Sequence, residues 1–499
     1  MEYLPKAQQA STPLAWCQAA VSCLRAFLSQ NPDEQQETLS KRAVKSVSVP
    51  KKSLNPSIPP WSPDNPRGSI KLTLACNHLA PTSFHERLIQ AKYPYVSVNS
   101  YTEGGGGAGV LKQGVAHFLT RLYKLDRINK PIDPSWIRIT PGATGTLEYM
   151  AFGLSDPGDT CLVPAPLYGG FASDVKRMGL EVVPVLADAD TGFVPPTKVL
   201  TKARQSVWMQ GKKCNILLLC NPCNPLGLVF ARDGLASMMK WAVNNGMHVV
   251  SDEIYAGTCH TSTLPFNSVW KIAQEDLNEQ QQQRVHLITS LSKDLACPGL
   301  RVGMLLTKNP RLLSALDAVG KFGMIPGPIQ FALAEVLQDD EFIDKNLAEQ
   351  NGMMRDAYQQ LTCEFDKYGI RYLDGGATLV VWIDLRNCLP PGPSWADEER
   401  LTELLALKAA AAAAPPPLCH ALTMLWPECV RLPPLSIRPR RHPRQVLLSG
   451  GAWLLPHLPF RRRPGMLPGG GEAVRLVSLA VRGVATCCVY ASAECGERR

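Results

Sequence analysis

The stretch Val285-His-Leu-Ile-Thr-Ser-Leu-Ser-Lys-Asp-Leu-Ala-Cys-Pro-Gly-Leu-Arg-Val-Gly303 decides how the rest of this 499-residue chain is read. Its first six residues are mostly apolar or β-branched and end on Ser290, which predicts a buried strand running into a loop. Two hydroxyls, Ser290 and Ser292, flank the amine of Lys293, and Arg301 follows beyond a Pro-Gly turn. Open α/β sheets place their ligands at the carboxyl ends of their strands, where Lys293 would then stand. Partial burial there would lower the pKa of the amine and free it to form a Schiff base. Ser290, Ser292 and Arg301 would add hydroxyl donors and a guanidinium fork, a set that suits a phosphate. Taken alone, Ser-x-Ser-Lys reads first as a solvated loop, so its companions have to come from elsewhere in the chain.

Outward from Lys293, two more apolar runs end on polar residues. His248-Val-Val-Ser-Asp-Glu-Ile-Tyr255 places Asp252 at the end of a strand. A carboxylate in that position needs a cation or several donors, although alone it also fits a helix N-cap. Asn215-Ile-Leu-Leu-Leu-Cys-Asn-Pro-Cys-Asn-Pro-Leu-Gly227 is a buried strand stopped by two Asn-Pro steps. A tight, polar-lined turn calls for such steps and core packing does not. Ile137-Arg-Ile-Thr-Pro-Gly-Ala-Thr-Gly-Thr-Leu-Glu148 reads as strand, small-residue turn and helix start. The amides of Ala143 and Thr144 would be free at that helix N-terminus, which favours a phosphate. In Asp156-Pro-Gly-Asp-Thr-Cys-Leu-Val-Pro-Ala-Pro-Leu-Tyr-Gly-Gly-Phe171, Tyr168 alone would pass for a rim aromatic. Three strands thus end at Asn224, Asp252 and Lys293 with helical segments between them. That layout predicts an α/β fold with a doubly wound, mostly parallel sheet whose carboxyl edge carries the chemistry.

Tyr101-Thr-Glu-Gly-Gly-Gly-Gly-Ala-Gly109 also fits G-x-G-x-x-G, from Gly104 to Gly109. A helical run follows, and Asp126 lies about where a ribose-binding acid would. A dinucleotide site is therefore an alternative, although a glycine run meets the pattern trivially and Val96-Ser-Val-Asn makes a poor buried strand.

With 45% apolar residues the chain can bury a large core in two or three domains. No apolar run reaches membrane-spanning length. The N-terminus lacks the basic-then-apolar layout of a secretory signal, and 41–52 is basic and Ser-rich, as part of an organelle transit peptide would be. A cytoplasmic location is the expectation. The net charge of +9 is concentrated: residues 406–499 hold 13 Lys/Arg against 4 Asp/Glu, and the first 405 carry 39 of each. The core therefore gives no electrostatic reason to expect nucleic acid. Sixteen scattered cysteines read as reduced thiols. Cys220-Asn-Pro-Cys223 has zinc-ligand spacing but no second pair at a matching distance, so no metal is expected.

Taken together and in this order, these segments resemble the pyridoxal-phosphate (PLP) dependent fold type I aminotransferases of class I and II. Within them they resemble the 1-aminocyclopropane-1-carboxylate (ACC) synthase branch. The resemblance covers about 66–405. It implies an N-terminal arm over 1–65 and a large PLP-binding domain over 101–325. A smaller α/β domain would be built from 66–100 and 326–405, with a helix from Glu335 to Lys367 and a strand from Gly375 to Leu385. A basic, Pro-, Arg- and Gly-rich tail over 406–499 would then follow. It further implies that Lys293 forms the Schiff base and Asp252 pairs with the protonated pyridine nitrogen. Asn224 and Tyr255 would bond the phenolic oxygen and Tyr168 would stack on the ring. The phosphate would lie among Ala143, Thr144, Ser290, Ser292 and Arg301. The family builds its site across a homodimer, so Tyr101 would reach the neighbouring subunit's phosphate.

The substrate would be an α-amino acid that displaces Lys293 as an external aldimine, leaving Lys293 as general base. Three outcomes follow from there: amino transfer, γ-elimination of S-adenosylmethionine to ACC, or PLP binding with little turnover. In the ACC synthase branch an Ala-Glu-Asn triplet is usual, and its glutamate has a recognition role. Here the triplet is Ala75-Cys76-Asn77, which favours amino transfer or a lyase side reaction. The arginine that clamps the substrate carboxylate has no clear counterpart, Arg475 and Arg482 being candidates by elimination. With its last elements missing, the small domain is expected to expose the apolar face of Val380–Leu385.

Overall fold

A run such as 285–290 can only be satisfied inside a sheet covered on both faces, and it forms a strand in which all six residues are buried. The computed structural model describes residues 75–78, 80–94, 101, 105–390, 394, 396–398, 400 and 401, all within the unit Leu54–Arg499. The expectations for 1–65 and 406–499, with Arg475 and Arg482, lie outside the described residues.

The main sheet has seven strands. In chain order they are β1 (Ile137–Pro141), β2 (Thr160–Ala165), β3 (Glu181–Leu186), β4 (Cys214–Cys220), β5 (His248–Asp252), β6 (Val285–Ser290) and β7 (Val302–Thr307). Their order across the sheet is β1-β7-β6-β5-β4-β2-β3. Strands β2 to β6 pair in parallel, and β7 runs antiparallel to both of its neighbours. Side chains alternate between two cores with the period of two that a strand imposes. Ile216, Leu218, Val250 and Ile288 pack with Leu147 and Met150 of the helix Gly142–Leu154 on one face. Leu217, Leu219 and Val249 face the opposite way, against helices Thr197–Met209 and Arg232–Asn244. Leu287, Met304 and Leu306 meet helices Gly109–Leu122 and Gly327–Val336. Each fully buried aliphatic side chain of this kind contributes about 1.5–3 kcal/mol.

Two expectations need correction. The helix from Glu335 to Lys367 is two helices, Gly327–Val336 and Asp340–Lys367. The break comes where the Asp339 side chain turns back to accept from the Phe342 amide at 3.2 Å. The strand from Gly375 to Leu385 shrinks to β9 (Ile383–Asp384), paired with β8 (Arg371–Tyr372). Upstream of it Gly376 and Thr378 have positive φ, which ends extended structure. The segment crosses over the turn after β4, where the Ala377 amide bonds the Gly227 carbonyl at 3.1 Å. Its apolar side is not exposed, because Trp382 and Leu385 are buried, Trp382 in the core that holds Leu226 and Phe230.

Candidate active site

Strand register gathers the ends that matter. Cys220 pairs with Asp252, Asp252 with Ile288, Ser290 with Gly303, and Val302 with Pro141. One sheet edge therefore carries the turn after β4, Asp252, the Lys293 loop, Arg301 and the start of the helix after β1. The three strand ends expected from the sequence meet there. The antiparallel β7 brings in Arg301, and β1 brings in the helix N-terminus.

At one end of this edge the Arg301 guanidinium lies against Gly142, donating to the carbonyls of Pro298 and Pro141 at 3.1 and 3.3 Å. Gly142 has φ +80, and any side chain there would overlap the guanidinium. The neighbouring Gly303 likewise admits the Gly142 backbone only because it has no side chain. Ala143 and Thr144 occupy the first turn of the 13-residue helix Gly142–Leu154, where backbone N–H groups have no intrahelical partner. Arginine and free amides at one helix N-terminus form an anion cradle. Ser290 is buried and its hydroxyl accepts from the Ser292 amide at 3.4 Å, while Ser292 is half-buried.

In the middle stands Asp252, 4% exposed, with an amide hydrogen bond from Ile254 at 3.3 Å and no ion pair among the described residues. Burial pushes its carboxyl up to about 7, with Asp174 adding to the effect. The Tyr255 phenol is buried and bonded to the Asn224 side chain, with Cys220, Asp252 and Tyr168 close by. Tyr168, 40% exposed, stands edge-on to Phe171 with ring centroids 5.3 Å apart, over Gly170. It too feels Asp252 and Cys220. So Tyr168, Asn224, Asp252 and Tyr255 form one group.

Lys293 lies in the short helix Leu291–Asp294, and its amine donates to the Ala75 carbonyl. Burial lowers its pKa, with Arg301 acting in the same direction and Cys76 opposing. The triplet Ala75-Cys76-Asn77 therefore sits at the amine. From the long helix, Gln350 donates to the Asp294 carbonyl at 3.0 Å and Asn351 to the Gly257 carbonyl at 2.8 Å, bracing the Lys293 loop. These two supports were not legible in the sequence. Neither were Glu253 and Asp294, carboxyls 0% and 1% exposed that adjoin the expected residues. Adjacent acids look like a solvated pair until the helices that cover them are known.

Tyr101 stands apart from this group and is 98% exposed. The glycines after it are used by the chain itself. Gly105 packs on the backbone of Asp317 to Lys321, and the amide of Ala108, at the head of the next helix, is bonded to the buried Gln330 side chain at 2.7 Å. Neither leaves the approach that a dinucleotide needs. Cys220 and Cys223 are buried thiols, their sulfurs facing the carbonyls of Pro222 and Pro166. No helix among the described residues is long and apolar enough to cross a membrane.

An anion cradle, a buried carboxylate lacking a cation, two phenols with an amide, and an amine of lowered pKa fit a planar cofactor bearing a phosphate, a basic ring nitrogen and a carbonyl. The comparisons with known proteins agree. The family model for aminotransferase class I and II matches residues 96–434. ACC synthase 6 of Arabidopsis thaliana is 34% identical over 348 residues, 66% of this chain and 68% of that protein. An ACC synthase of Vigna radiata var. radiata is 35% identical over 301 residues, 60% of this chain and 80% of that protein. Among solved structures, aspartate aminotransferase from Thermus thermophilus with maleate superposes with a TM-score of 0.58 at 21% identity, covering 68% of this chain and 82% of that one.

Proposed function

Because this chain belongs to the class I and II aminotransferase family and is a PLP-dependent enzyme of fold type I, we propose that it acts on an α-amino acid by amino transfer at Lys293. The observation that carries this reading is Asp252, a buried carboxyl with no ion pair among the described residues, on the same sheet edge as an amine of lowered pKa. When bound, PLP supplies an electron-accepting ring, and the residues of this chain supply the rest. Lys293 would hold the cofactor's carbonyl carbon, and its amine, of lowered pKa, would take the substrate's Cα proton as general base. Asp252 would hold a proton on the ring nitrogen, and Asn224 and Tyr255 would bond the ring oxygen. Tyr168 would cover a ring face. Ala143, Thr144, Ser290, Ser292 and Arg301 would hold the phosphate. The exposed Tyr101 suits a role at a second copy's site, in a homodimer.

Amino transfer is preferred over ACC formation because Cys76, beside Lys293, brings a thiol where the ACC synthase branch has a glutamate. A second reading, γ-elimination of S-adenosylmethionine, draws support from relatives named ACC synthase at 34–35% identity. One assay separates them: incubate the PLP-loaded protein with an amino acid and a keto acid, or with S-adenosylmethionine, and measure keto acid and ACC. The proposal expects keto acid to dominate and to vanish in Lys293→Ala. ACC forming faster than keto acid would replace it with the second reading.

A further inference from the structure

Behind the edge lies a group of buried polar side chains that the proposed chemistry does not use. Glu253, 0% exposed, uses one carboxyl oxygen to accept from the Ser251 hydroxyl at 2.9 Å and the Val269 amide at 2.8 Å. The Ser268 hydroxyl also bonds this carboxyl, whose other oxygen has no partner among the described residues. Asp294, 1% exposed, accepts from the Gly257 amide at 2.8 Å on one oxygen, and its second is likewise unpartnered. The Tyr123 phenol, just past the helix Gly109–Leu122, is in electrostatic contact with Glu253, Asp294 and Asp252 and bonds the Thr289 hydroxyl of β6. Among the described residues neither hydroxyl bonds a carboxyl oxygen of Glu253 or Asp294. The other titratable groups felt here are the thiols of Cys220 and Cys259, also acids. No lysine, arginine or histidine among the described residues is within ion-pair distance of Glu253 or Asp294.

An ionised carboxylate in such a place would need donors on both oxygens and a cation nearby. These two carboxyls have donors on one oxygen each and no cation. We propose that Glu253 and Asp294 are neutral carboxylic acids and that they reserve the cluster's single negative charge for Asp252. The proposal rests on reading Asp252 as the partner of the ring nitrogen. Glu253 and Asp294 are then positioning residues that act through it. Were either of them ionised, its field would hold Asp252 protonated and weaken its grip on a ring cation. Burial acts in the same direction on all three carboxyls, raising Asp252 up to about 7, Glu253 to about 8 and Asp294 well above the carboxylate range.

The test is infrared difference spectroscopy on the full chain freed of PLP, at neutral pH and through a pH titration. Glu253→Gln and Asp294→Asn are each expected to remove one component of the protonated-carboxyl band. The ionisation of Asp252, identified as the carboxylate signal lost in Asp252→Asn, should stay within about half a pH unit of its position in the parent chain. A protonated-carboxyl band unchanged in either variant would overturn the proposal, as would an Asp252 transition lowered by about a unit or more. If Glu253→Gln fails to fold, the parent chain still decides: its protonated-carboxyl band should persist above the pH at which the Asp252 carboxylate appears, and a band lost together with that transition would overturn the proposal. All readouts are taken without PLP, so a negative result leaves the cofactor assignment standing, and failure of PLP uptake would not alter the spectra.

Discussion

Replacing Asp252 with asparagine keeps the side chain's shape and removes its charge. A charge-assisted hydrogen bond to a protonated ring nitrogen contributes about 1.5–3 kcal/mol, so PLP should bind about ten- to a hundredfold more weakly in Asp252→Asn. Titration of the PLP-free protein, followed by visible absorbance, measures this, and an unchanged affinity would remove Asp252 from the role assigned to it. Asp252, Asn224 and Lys293 could be picked out from the sequence for one reason: each stands where an apolar run stops. The neighbouring Glu253 and Asp294 could not, because their burial comes from helices far along the chain, such as Asp340–Lys367. Cys76 was legible as a departure from a motif. Its place beside Lys293 depends on a contact spanning 218 residues.

At the scale of elements, the junction of β1, the helix Gly142–Leu154 and β7 is the most demanding piece of backbone around the site. Gly142→Ala puts a side chain at φ +80, which costs about 1–2 kcal/mol, and displaces Arg301 as well. We expect a lower melting temperature together with at least a tenfold weaker affinity for PLP. Gly299→Ala, in open space, should change stability by no more than about 0.5 kcal/mol. Equal effects of the two substitutions would mean that Arg301 does not depend on this junction. The parallel strands were readable as apolar runs of buried length. The shortening of the Gly375–Leu385 strand was not, since it follows from positive φ at Thr378, a residue that gives no warning of it, and from packing against the turn after β4. The sequence pattern of that segment suits a strand, and tertiary contact overrides it.

Over the whole molecule the buried carboxyls set a pH dependence. Asp252 and Glu253, raised to about 7 and 8, keep protons in the folded chain that the unfolded chain releases near pH 4. The folded state therefore binds more protons between these limits, and stability falls as pH rises through them, the full penalty being reached above about 8. His248 and His286 work in the opposite direction, because burial lowers both and the unfolded chain takes up their protons below about 6.5. Between pH 6.5 and 8 the carboxyls carry the change. The urea midpoint of the PLP-free protein should decrease across that window, by at most about 1.4 kcal/mol per pH unit for each group, and Glu253→Gln should flatten the slope. A midpoint that climbs would reverse the sign of this account. The loop from β6 to β7 has a different kind of consequence. Lys293 is fixed by the strand before it and Arg301 by the strand after it, with Ser290 and Gly303 paired across the sheet. Nothing within 4 Å would meet a side chain at Gly299, midway along the exposed part of the connection. Covalent continuity between the amine and the guanidinium is then dispensable once the sheet has closed. A chain nicked at Gly299 should remain one particle, with both of its tethers still aimed at the same ligand.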